Sequence, residues 1–168
     1  LDAINNDGGS LIHTGHGTFT LSSTENLVNN GVLDSANHLS QNVAQLQNEG
    51  QISAATQLFI KTETGLTNSS TGVIGSSGAE NNFSTQLIAS NQQINNQGYW
   101  DAGNLTATIN GSDLINSGNW IIGNKSTGSI NLSLNKLTNN GGISYNNSGT
   151  LNITAGQITN SVYMVSES

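Results

Sequence analysis

Apolar residues recur along this chain at fixed offsets. In the clearest phrase Leu or Ile leads, Asn follows two positions later and Gly two after that, and an apolar residue closes the seventh position. It reads Leu27-Val-Asn-Asn-Gly-Val-Leu33, Leu46-Gln-Asn-Glu-Gly-Gln-Ile52, Ile94-Asn-Asn-Gln-Gly-Tyr-Trp100, Leu114-Ile-Asn-Ser-Gly-Asn-Trp120 and Leu137-Thr-Asn-Asn-Gly-Gly-Ile143. Looser copies begin at Ile4, Leu66 and Ile158. Successive leaders stand 23, 19, 20, 28, 20, 23 and 21 residues apart. A period in the low twenties is the mark of a solenoid, in which each unit buries its apolar face only against its neighbours.

Between copies the apolar residues alternate, as at Phe19 and Leu21, Leu58 and Ile60, Leu105 and Ile109, Ile130 and Leu132, and Leu151 and Ile153. Alternation at period two predicts strands with one buried face. Helix-like spacing is confined to Val43-Ala-Gln-Leu46. Asn and Gly tolerate positive φ, so each Asn-x-Gly predicts a tight corner after a short strand. Together these elements predict an all-β chain, a parallel β-helix of about 20–23 residues per coil. At about 4.8 Å per level, some seven and a half coils would make a rod of roughly 35 Å. The corner asparagines Asn29, Asn48, Asn68, Asn96, Asn116, Asn139 and Asn160 are expected to stack and bond to one another or to the backbone.

One unit departs from the period. From Leu66 to Ile94 it runs 28 residues, about eight more than its neighbours, and the excess is polar: Gly75-Ser-Ser-Gly-Ala-Glu-Asn-Asn82, between Ile74 and Phe83. A solenoid extrudes such excess, here as a loop near 75–82, and loops often carry binding. Glu80, Asn81 and Asn82 are therefore candidate ligand residues, set against the plainer reading of a solvated bulge. Trp100 and Trp120 suit a sugar-stacking platform, but both occupy the position held by Leu33, Ile52 and Ile143 in other coils. That offset places them inside the rod, stacked one coil apart. Tyr99, one residue earlier, then faces outward and is the fourth candidate ligand residue.

Composition narrows the function classes. Only 33% of residues are apolar and 8% charged, yet proline is absent and the apolar residues are periodic, which argues for order rather than disorder. The net charge is −7 with three lysines and no arginine, which sets nucleic acid aside as a partner and disfavours an anionic membrane. Membrane insertion is not expected either, since no apolar run approaches the length of a span. The chain has no cysteine, so no disulfide framework stiffens it. It opens inside a repeat, and the expectation is a single β-helix segment, residues 1–168, excised from something larger.

The phrase Leu-x-Asn-x-Gly-x-Ile followed by an alternating strand resembles the repeats of filamentous haemagglutinin-type exoproteins, and the resemblance runs from Ile4 to Asn160. These are the large substrates of two-partner secretion, among them bacterial adhesins and the stick proteins of contact-dependent growth inhibition. The resemblance implies a right-handed β-helix, export through an outer-membrane transporter of the two-partner type, and residence as a secreted protein at the bacterial cell surface. It also implies a receptor, protein or glycan, on a host or bacterial cell. The chain lacks the Asn-Pro motifs of the family's export domain. It also lacks the Val-Glu-Asn-Asn motif that announces the toxin end of growth-inhibition members; Ala79-Glu-Asn-Asn82 is only a near match. What remains is shaft or receptor-contacting segment, with a passive spacer as one alternative.

A second alternative is a polysaccharide-active β-helix, an enzyme or a phage tail-spike shaft. Glycoside hydrolysis needs grouped carboxylates. Asp34 and Asp101 share one offset and Asp7 and Glu49 another, but neither pair comes from adjacent coils. Lyase chemistry wants cations, and the lysines (Lys61, Lys125, Lys136) are scattered, so no catalytic residue is assigned and the chain is not expected to be an enzyme. His13-Thr-Gly-His16 lacks the further ligands a metal needs and is expected to be two surface histidines at a corner. No metal or other cofactor is expected. Asn-x-Ser/Thr sequons begin at Asn68, Asn82, Asn104, Asn110, Asn124, Asn131, Asn146 and Asn152, as a chain rich in these residues produces by chance.

Overall fold

The structure, a computed structural model, describes residues 3–78, 82–123, 129–146 and 148–162, and the backbone of 164–167. These residues form a parallel β-solenoid of about seven turns with two sheets, one of 11 strands and one of eight. The leaders set its register. Ile4 lies beside Leu27, and then Leu46, Leu66, Ile94, Leu114, Leu137 and Ile158 follow in one column, each paired in parallel with the next. The closing apolar residues make a second column in the smaller sheet: Leu11, Leu33, Ile52, Ile74, Trp100, Trp120 and Ile143. Both columns point inward, and from Leu27 to Ile143 their members are buried in one continuous core. Trp100 and Trp120 are fully buried with ring centroids 5.4 Å apart and planes tilted by 36°. Such a pair contributes about 0.5–1.5 kcal/mol beyond its burial.

The corner asparagines form a single hydrogen-bonded column. The Asn6 side-chain amide nitrogen donates to Asn29 Oδ1 at 2.7 Å, and the pattern repeats through Asn48, Asn68, Asn96, Asn116, Asn139 and Asn160 at 2.8–2.9 Å. From Asn6 to Asn116 each amide also donates to main chain: Asn29 Nδ2 reaches Gly31 O at 3.2 Å in its own coil and Gln51 O at 3.0 Å in the next. Amides buried without partners would cost several kcal/mol, so only a column of like residues satisfies every level at once.

Past the first copy, where Gly8 has the expected left-handed φ of 74°, the glycine two residues on is required for a different reason than the sequence suggested. Left-handed φ occurs at Gly8, Asn91, Gly103, Gly111 and Gly123, and not at the stacked glycines of this corner. Here glycine is demanded by close approach. A Cβ on Gly31, Gly50, Gly118 or Gly141 would sit 2.0–2.1 Å from the carbonyl oxygen of the glycine one coil below. Gly98 is held likewise, 2.2 Å from Gly72 O.

The opposite corner, where each coil enters its leader strand, differs from level to level. Residues His38–Asn48 form one strand whose register shifts between Val43 and Gln45. The helix-like spacing of Val43 and Leu46 is that bend: both face the core because the strand turns between them. Higher up, Thr62 Oγ1 donates to Gln92 Oε1 at 2.7 Å and Gln92 Nε2 donates to Thr62 O at 2.8 Å. Ser112 Oγ accepts the Gln92 N–H at 3.2 Å and donates to Ala89 O at 2.5 Å.

In the long coil most of the excess follows the strand Val73–Ser76. The chain takes three steps from Ala54 to Gln57 but eight between their partners Ser76 and Ser84. Two more residues are accommodated between Asn68 and Ile74, where the coil below runs from Asn48 to Ile52. One lies between Ile88 and Ile94, opposite Lys61 and Leu66.

Candidate functional site

With the interior packed, chemistry is left to the outward columns. On the smaller sheet the register defines two. One runs Val32, Gln51, Val73, Tyr99, Asn119, Gly142, in the order of the levels. The other runs Asp34, Ser53, Gly75, Asp101, Ile121, Ser144, with Gly75 in contact with Asp101. Tyr99 and Val73 are each 41% exposed and adjacent in the register. Beyond Tyr99 a cleft of about 280 Å³ is bounded by Tyr99, Asn119, Ile121, Gly142 and Ser144. It exists because Gly142 has no side chain at a level where its neighbours do.

Electrostatics at this place are set by Asp101, two residues along the strand from Tyr99 and so on the same face. One Asp101 oxygen accepts the Gly103 N–H at 3.0 Å, which fixes the carboxylate at the turn. The Tyr99 phenol is raised above its ordinary 10.0, first by burial and then by the charge of Asp101. Asp34, three levels below, is occupied otherwise: Ser53 Oγ donates to its Oδ1 at 2.6 Å, and Gln51 Nε2 donates to Ser53 Oγ at 3.0 Å.

The other sequence candidates divide. Glu80 and Asn81 lie outside the described residues, as does Ala79. Asn82 is exposed in a turn immediately before Phe83, whose ring enters the core. Tyr99 therefore stands apart from the one described residue of the 79–82 group: Asn82 precedes the strand Ser84–Ile88 of the larger sheet, and Tyr99 is on the smaller. Asp34 and Asp101 are three levels apart, about 14 Å, beyond the ~5–9.5 Å that separates the carboxylates of glycoside hydrolases. Asp7 and Glu49 have the Asn30 level between them.

His13 is not the surface corner residue expected from the sequence. It ends the strand Ser10–His13 in an inward column with Ser35 and Ala54. Its ring stacks on Phe19 with centroids 6.0 Å apart, and its Nδ1 lies 3.2 Å from Ser35 Oγ. His16 is exposed, and its carbonyl oxygen accepts the Asn37 side-chain amide. Among the described residues no three of His, Asp and Glu converge on a point where a metal could bind.

Asn119, Ile121, Gly142 and Ser144 were not singled out from sequence, and Asp101 was weighed only as a partner for Asp34, although the signal was there. They stand five or seven places after their leaders, the same offsets that put Tyr99 on the outer face. No family model, no curated protein and no solved structure matches this chain.

Proposed function

We propose that this chain is a shaft segment of a large exoprotein of the filamentous haemagglutinin type. On this reading it is exported by the two-partner route, held at a bacterial surface, and presents its outer faces to another cell. The observation that best supports this is the uninterrupted spine, in which eight asparagines and the glycines beside them meet level on level. A fold that adds reach by repeating one level suits a fibre, and its side faces remain free for contact. A chain without cysteine can cross a membrane unfolded and form each coil on the one before it.

On this reading the partners are an outer-membrane transporter during export and a protein or glycan receptor afterwards. The acidic balance keeps the rod from polyanions. The direct test is binding of the labelled chain to intact bacterial and epithelial cells, beside a variant lacking residues 77–82. Saturable binding supports the contact function. Its loss on deletion places the contact in the inserted segment, and its survival places the contact on a side face. Absence of binding to every cell type would overturn the contact function and leave a spacer.

A further inference from the structure

The cleft beside Tyr99 runs along the rod axis across three levels. Tyr99 lines one end, Asn119 and Ile121 the middle, and Gly142 and Ser144 the other end, while Asp101 stands just outside the lining, beside Ile121 in the register. We propose that this trough receives a lysine or arginine side chain from a partner protein, its stem along Ile121 and its cationic head between the Tyr99 ring and the Asp101 carboxylate. The assignment names a partner chemistry for the contact function above and rests on that reading only in taking this face to meet another protein.

Shape and charge agree. A long basic side chain is amphipathic, an aliphatic stem with a charged tip, and it prefers an apolar channel that ends at an anion. Ile121 and the exposed part of Tyr99 supply the apolar wall. The two outward columns carry Asp34 and Asp101 but no lysine. Lys61 pairs beside Asn42 and Ile88 in the larger sheet, and Lys136 beside Asp113 in the same sheet. Asp34 is committed to Ser53, whereas the Gly103 N–H orients Asp101 without neutralising it. The Tyr99 phenol is raised first by its burial and second by that charge. A cation therefore meets two attractions here, the ring quadrupole and the carboxylate. A sugar hydroxyl can donate to Asp101 but brings no opposite charge to it, and an anion would be repelled.

The test is titration of the ¹⁵N-labelled chain with the capped pentapeptide Gly-Ser-Arg-Ser-Gly, its central-lysine and central-glutamate counterparts, and methyl glucoside. The arginine and lysine peptides are expected to shift the amides of Tyr99, Asp101, Ile121 and Ser144 together, with an affinity that falls as salt is added. Asp101→Asn keeps an acceptor for the Gly103 N–H, and Tyr99→Leu keeps an apolar side chain. Each should weaken binding by about five-fold or more. Gly142→Ala narrows the trough, because its Cβ would meet Asn119 Oδ1 at 2.8 Å, the end of a side chain that can swing aside, and should also weaken binding.

Equal shifts with the glutamate peptide or the glucoside, undiminished binding by Asp101→Asn, or no shifts with any peptide would overturn the proposal. Cell binding that persists in Asp101→Asn while peptide binding is lost would overturn this trough as the cell-contact site and leave the contact function intact. Peptide binding by a chain that binds no cell would support the trough and count against the contact function alone.

Discussion

The two corners of the solenoid solve one problem in opposite ways. At the Asn-x-Gly corner every described level places an asparagine, and its side chain bonds to its counterpart one level away. At the corner entering the leader strand, one level bends at a register shift, others are tied by Thr62, Gln92 and Ser112, and Asn91 adopts a φ of 56°. The first corner sets register through its asparagines. The second is held by different residues at each level, and its stability is local. A repeated corner fails along the column; a bespoke one fails alone.

Mutation can break the comparison. The largest effect is expected for Gly118→Val, which drives a side chain into the Gly98 carbonyl, where even a Cβ would lie 2.0 Å away. Backbone against backbone has no rotamer to yield, so the loss should reach at least about 3 kcal/mol. Urea unfolding of the variant would measure it, and a loss below 1 kcal/mol would mean that the corner can open.

Asn96→Ala should follow at about 2–4 kcal/mol, since it removes the acceptor of Asn68 and the donor to Asn116 together. Asn96→Asp sharpens the point through pH. A carboxylate there can accept from Asn68 but meets the Asn116 oxygen, whereas the protonated acid can donate to it. Burial then raises the folded-state pKa above the ordinary ~4, so the unfolded state ionises first and stability falls as pH rises above ~4. Unfolding midpoints measured from pH 3 to pH 7 should therefore decline; a flat profile would contradict the buried column.

Gln92→Ala, at the variable corner, should lose only about 1–2 kcal/mol, and hydrogen exchange should rise near Thr62 and Ser112 without spreading along the rod. The smallest effect lies outside both corners. In an ultraviolet pH titration, the phenol assigned by its loss in Tyr99→Phe should ionise above the ordinary 10.0, and Asp101→Asn should bring it down part of the way because burial remains. The unfolded chain then ionises first, so Tyr99 withdraws stability only as pH climbs past 10.0, the neutral form being favoured in the fold.

The repeated corner was legible in the sequence, and the bespoke one was not. The leaders and the asparagines announce their register because identity at each level is what the column requires. The glycines were legible as glycines, but their reason was misread, since crowding by a neighbouring coil leaves no local mark. The strands within His38–Asn48 and at Ser84–Ile88 escaped the alternation because Gln41 and Thr85 occupy inward, fully buried positions where other coils place apolar residues. Neither side-chain polar group of Gln41, nor the Thr85 hydroxyl, has a partner among the described residues. The inward, half-buried position of His13 was hidden in the same way, since polarity suggested surface. Tyr99 could be placed outward from its offset, but the cleft beside it depends on Gly142, two coils away in sequence and adjacent only in the fold.

The asparagine column also gives the rod a direction. Every amide in it donates toward the C-terminal end and accepts from the N-terminal one. Backbone dipoles in a sheet alternate and largely cancel, so these aligned amides leave an uncompensated electric moment along the axis. It is built as a helix dipole is, with partial positive charge toward Asn160 and partial negative charge toward Asn6. A further coil is therefore not equivalent at the two ends: one end offers a donor and the other an acceptor, and growth of the stack is polar.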